Sequence, residues 1–110
     1  MKKEIKKYLF DIMNSAEEIN SYTNNFSFTD YSSNKLVQRA VERNFEIIGE
    51  ALNALKFNHT EFMNNISEYQ RIIGFRNILI HGYSEIYEKI VWDAIQKHLP
   101  ILINEITPYL

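Results

Sequence analysis

The sequence predicts an all-α fold, an up-and-down bundle of four to five helices, on three observations. Apolar residues recur at spacings of three and four along most of the chain, the period of a helix that buries one face. Period-two alternation persists nowhere, so no strand pattern competes. Only three glycines and two prolines occur in 110 residues, so long helices can run with few internal breaks. Two independent cores are hard to build from a chain of this length, which makes residues 1–110 a single domain. A hydrophobic fraction of 45% excludes disorder as a reading of the whole chain.

The first helix is expected from about Lys3 to about Thr23, with Ile5, Leu9, Ile12, Ala16 and Ile19 forming one stripe. Residues 24–33, NNFSFTDYSS, read as a loop tucked against the body by Phe26, Phe28 and Tyr31. Thr29, Asp30 and Ser32 are candidate N-caps for the helix that follows. That second helix, from about Ser33 to Phe57, carries two stripes. Val37, Val41, Ile48, Ala51 and Leu55 form one, and Leu36, Ala40, Ile47 and Ala54 lie beside it, so the helix is predicted to be central. Gly49 sits in its middle at a cost of about 1 kcal/mol relative to alanine, which implies close approach of another backbone. Residues 58–65 form a connector with a short helical turn around Glu61 to Met63. A third long helix is expected from Ser67 to Ile80, with Gly82 as its stop. The last runs from Ile86 to Thr107, with Val91, Ile95, Leu99, Leu102 and Ile106 inward and a kink at Pro100.

Composition excludes several classes. There is no cysteine, hence no disulfide scaffold and no thiolate metal site. No His/Asp/Glu cluster has metal-ligand spacing, His59 and His98 have no matched partners, and no cofactor is implied. The N-terminus lacks the apolar core of a signal peptide, and no stretch approaches a membrane span. Cytoplasmic residence is the expectation. The formal net charge is −2, unlike the positive footprint of proteins that grip nucleic acid tightly. Lys2, Lys3, Lys6 and Lys7 stack at i,i+4 as one basic patch, either a solvated helix start or a small RNA contact.

The candidate chemistry sits on the third long helix. Tyr69, Ile73, Arg76 and Ile80 fall at spacings of four, three and four, so Arg76 shares a face with apolar residues. An arginine there must snorkel, pair with a carboxylate such as Glu46 or Glu50, or line a cleft. Asn77, His81, Gly82 and Tyr83 follow. Histidine can take or give a proton near neutrality, a fixed arginine can hold a phosphate and its transition-state charge, and Asn77 can orient either. Together they suffice for metal-independent RNA cleavage, in which His81 activates a ribose 2′-hydroxyl and Arg76 steadies the phosphate. The plain alternatives are an Arg76 ion pair and a His81 that caps a helix C-terminus. On a regular helix, residues five apart differ by about 140°. Either the helix unwinds near His81 or the two side chains meet across a two-fold interface.

Gly74-Phe75-Arg76-Asn77-Ile78-Leu79-Ile80-His81-Gly82-Tyr83 resembles the signature of HEPN-domain proteins, and more narrowly of their HepT (DUF86) branch. Arg39 to Ala51, with its Ile48-Gly49-Glu50-Ala51 segment, is similar to that branch's central helix. Trp92 and Leu99-Pro100 match its last helix, so the resemblance spans most of the chain. Gly82 departs from the commonest form, which is acidic there. The resemblance implies a HEPN-type bundle that forms a symmetric homodimer, with Arg76 and His81 of both subunits in a shared cleft. It implies a toxin with endoribonuclease activity on RNA such as tRNA or mRNA, with Arg76, Asn77 and His81 catalytic. It also implies a partner, a minimal nucleotidyltransferase antitoxin that attaches AMP to Tyr83, which otherwise reads as a packing residue. Glu46 and Glu50 are either ion-pairing residues or groups that orient Arg76. The family's alternative reading is a non-catalytic nucleotide- or substrate-binding subunit of a nucleotidyltransferase complex.

Overall fold

The stripe of the first helix becomes α1 (Lys3–Tyr22) in the computed structural model. The structure describes the backbone of residues 2–81 and 85–110 and the side chains of residues 2–75 and 87–110. Leu9, Ile12, Ala16 and Ile19 are fully buried, while Lys2, Lys3, Lys6 and Lys7 are exposed. The helix ends where the Thr23 hydroxyl donates to the Ile19 carbonyl at 2.8 Å.

Residues 24–33 are not a loop throughout. They contain α2 (Phe28–Ser32), a short helix fixed by a capping box. Ser27 Oγ accepts the Asp30 N–H at 3.1 Å, and the Asp30 carboxylate accepts the Ser27 N–H at 2.9 Å. Asn25 precedes it at φ 62°, a left-handed conformation that asparagine tolerates. Asp30 thus serves inside this box, and the cap of the following helix is Asn34, whose Oδ1 accepts the Val37 N–H at 3.0 Å. The Gln38 side chain donates to the carbonyls of Tyr31 and Ser32, at 2.8 and 3.0 Å, and binds α2 to its neighbour.

α3 (Lys35–Asn58) is the central helix, packed on α1 and on α4 (Tyr69–His81). Val41, Ile48, Ala51 and Leu55 are buried as the main stripe predicts. The second stripe is not core: Leu36 is 82% exposed, and Ala40, Ile47 and Ala54 are only half-buried. Phe45 and Leu52 take the buried flank instead, because α1 and α4 cover that side of the helix. Gly49 is buried on α3. Between α3 and α4 lies a 3-10 turn, Thr60–Asn65, which seats Met63 in the core.

The last arm is α5 (Glu85–Asp93), a π-helical segment (Ala94–His98), α6 (Leu99–Ile106) and a closing 3-10 turn (Thr107–Tyr109). Pro100 stands in the first turn of α6, where its missing N–H costs least. The expected break is therefore taken as a widened π turn immediately before the proline, which makes room for its ring against the preceding carbonyls. Val91, Leu99, Leu102 and Ile106 line the core as predicted. No strand occurs among the described residues, and no helix there is long and apolar enough to cross a membrane.

Candidate functional site

α4 begins just after Glu68, whose carbonyl accepts the N–H groups of Arg71 and Ile72. Its first half is anchored by Ile72 and Phe75, both buried, and the Phe75 ring stacks on Phe45 of α3 with centroids 5.5 Å apart. Arg76 is the next residue along the α4 backbone.

The α4 backbone continues through Asn77 to His81 without a break. The helix does not unwind between Arg76 and His81. Their Cα positions therefore lie about 140° apart around the axis, whereas Asn77 and His81, at i and i+4, share a face. The side chains of Arg76, Asn77 and His81, and the modification candidate Tyr83 with Gly82, lie outside the described residues.

Glu46 and Glu50 stand on α3, and both approach Arg43 of the same helix, at 3.4 and 3.9 Å. All three side chains are substantially exposed, so these pairs contribute little to stability. Sequence reasoning passed over Glu42. Its mostly buried carboxylate is held by Arg39 at 2.9 Å and lies against the Tyr87 hydroxyl of α5. Burial first, and the Glu42 carboxylate second, push the Tyr87 hydroxyl well above the ordinary tyrosine range. Burial does the same to Tyr31, whose ring packs against Trp92 with centroids 5.5 Å apart. Tyr87 could have been found from the helical period, since it lies four residues before Val91 on the same stripe.

The two histidines outside the motif both have glutamate partners, contrary to expectation. His59 Nε2 lies 3.0 Å from Glu4 Oε1, joining the start of α1 to the end of α3. A cleft of about 720 Å³ opens there, lined by Lys2, Ile5, His59 and Phe62 among others. His98 Nδ1 lies 2.9 Å from Glu68 Oε2. Beside it a cleft of about 290 Å³ separates α4 from the last arm, lined by Arg71, Phe75, Ile90, Asp93 and His98. Among the described residues no group of three His, Asp or Glu side chains is gathered to hold a metal ion.

Residues 12–108 match the family model described as Ribonuclease HepT-like. The chain belongs to this family. A provisionally named RNase of Methanocaldococcus jannaschii is 31% identical over 105 residues, covering 96% of this chain and 95% of the relative. A second provisionally named RNase of the same organism is 33% identical, covering 96% of this chain and 86% of its own length. A provisionally named ribonuclease HepT of Thermococcus cleftensis is 33% identical, covering 93% of this chain and 92% of the relative. No solved structure gives a significant match. The HepT-like match thus covers nearly the whole bundle, from within α1 to the closing turn, with the Arg76-to-His81 helix inside it.

Proposed function

We propose that this HepT-like chain is a metal-independent endoribonuclease, the toxin of a toxin–antitoxin pair. The observation that carries the reading is the sequence set Arg76-Asn77-x-x-x-His81-x-Tyr83, whose first three named residues lie on α4, in a chain matched to a ribonuclease family over residues 12–108. His81 takes the proton of a ribose 2′-hydroxyl as that oxygen attacks the adjacent phosphorus. The new P–O2′ bond forms as the P–O5′ bond breaks, and the leaving 5′-oxygen takes up a proton from an imidazolium. Arg76 holds the phosphate oxygens and the charge that builds on them. Asn77, one turn before His81, orients the imidazole. The products are a 2′,3′-cyclic phosphate and a 5′-hydroxyl end.

An unbroken α4 supports a two-fold site. With the Cα atoms of Arg76 and His81 about 140° apart on one helix, a phosphate is met more readily by Arg76 of one subunit and His81 of another. A nucleotidyltransferase antitoxin would switch the enzyme off by AMP transfer to Tyr83. There the tyrosine oxygen attacks the α-phosphorus of ATP, pyrophosphate leaves, and the added anion competes for Arg76. Cytoplasmic residence accords with such a role.

The deciding experiment treats total cellular RNA, and a DNA strand of matched sequence, with the wild type and with His81→Ala. Cleavage of RNA alone, with cyclic phosphate ends and at least a hundredfold loss in the variant, is expected from about 10²–10⁴-fold for general acid–base catalysis. Intact RNA with the wild type, or equal cutting of DNA, overturns the reading. The net charge of −2 favours a second reading, a nucleotide-binding subunit that does not cut. It predicts ATP binding by a wild type that leaves RNA intact.

A further inference from the structure

The residues that open α4 are fastened to the last arm by side chains that the ribonuclease reading leaves unused. His98, at the end of the π segment, places Nδ1 2.9 Å from Glu68 Oε2 and Nε2 3.4 Å from Arg71 Nη1. An arginine only donates, so Nε2 is the acceptor in that contact and Nδ1 carries the proton given to Glu68. The His98 and Glu68 side chains are only 17% and 24% exposed, which shelters their contact from water. Two further ties join the same segments. The Glu105 carboxylate accepts the Ser67 N–H at 3.2 and 3.1 Å, and the Tyr109 hydroxyl donates to Asn65 Oδ1 at 3.1 Å.

His98 lines the 290 Å³ cleft, but both of its ring nitrogens are already engaged by the protein. The ring is therefore spent on holding α4 rather than on holding a ligand. The hydrophobic driving force behind a contact such as Phe75 on Phe45 is non-directional, whereas hydrogen bonds of fixed geometry select one register. Arg76 and His81 ride on the same helix, about 12 Å and 20 Å beyond Glu68 at 1.5 Å per residue. A slide at one end is transmitted to the other, and displacement of reacting groups by about 1 Å costs on the order of 10²-fold in rate.

We propose that His98 is a positioning residue, which acts through Glu68 and Arg71 to set the register of α4 and so the placement of Arg76 and His81. The proposal rests on the ribonuclease reading for its effect on rate, but its structural half is tested separately. Three variants are compared with the wild type: His98→Ala, His98→Asn, whose amide nitrogen can replace Nδ1 toward Glu68, and Lys97→Ala as a control on the neighbouring exposed residue. Backbone hydrogen exchange is followed across α1, α3 and α4, and kcat and KM are measured on a fluorophore-quencher RNA of mixed sequence. In His98→Ala, exchange in α4 should quicken about ten-fold with α1 unchanged, and kcat should fall about ten-fold with KM held within about two-fold. His98→Asn should recover much of both, and Lys97→Ala should match the wild type. Unchanged α4 exchange overturns the proposal, as does equal loss in the alanine and asparagine variants. Quickened exchange with unchanged kcat, or a rise in KM alone, overturns it too. A wild type that cuts no RNA overturns the ribonuclease reading by itself, and the register claim is then decided by exchange.

Discussion

Tyr31 and Tyr87 are tyrosines whose hydroxyls the fold withdraws from water, and burial pushes both above the ordinary tyrosine range. Both are raised in the folded protein from an unfolded value near 10. Their contribution to stability is thus complete below about pH 10 and is lost as pH climbs from there toward the folded values, because only the unfolded chain gains by ionising. Absorbance of tyrosinate, followed alongside helical circular dichroism, should show these two ionising only as the protein unfolds. Within the proposed site, Arg76→Lys should restore little of the cleavage lost in Arg76→Ala, since an ammonium lacks the two-pronged guanidinium fork. Initial rates on the same RNA measure this. Arg76, Asn77 and His81 stand out in the sequence as candidates because their spacing is local. The Glu42–Tyr87 contact was not, because it joins residues on separate helices and arises only from packing.

Individual elements stand on identifiable caps. Asn34→Ala should cost about 1 kcal/mol by removing the acceptor of the Val37 N–H, read as a shift in the urea midpoint with an unchanged slope. Ser27→Ala should cost about as much. Its effect should concentrate on α2, whose five residues cannot hold a helix by propensity alone. The sequence announced the long helices through their stripes and the break at Pro100 through its missing donor. It did not announce α2, since a Ser-x-x-Asp box amid loop-forming residues looks like a loop until Tyr31 is buried. Nor did it announce the π segment, which is a choice among backbone hydrogen bonds that side-chain periodicity does not record. The second α3 stripe misled because helical period reports which residues share a face, and coverage of that face depends on neighbouring helices.

The molecule spans 42 × 27 × 19 Å, and among the described residues the buried apolar side chains form one cluster running through α1, α3, α4 and the last arm. Leu52→Ala, at a fully buried position on the central helix, should cost about 2–5 kcal/mol. That is a large share of the roughly 5–15 kcal/mol that holds a domain together, and equilibrium denaturation will show whether the variant still folds. The joint between α2 and α5 matters at this scale as well. There Tyr31 meets Trp92, the Ser32 hydroxyl donates to the Glu88 carboxylate, and the Lys89 ammonium lies 5.8 Å from the centre of the Phe28 ring. Trp92 is the single tryptophan of the chain, so emission excited at the red edge of its absorption, where tyrosine does not absorb, comes from one residue, seated on the helix that follows the motif in sequence. Its emission reports on that joint without any label, and a partner or nucleotide that disturbs the joint would be visible as a change in colour and intensity from one known position.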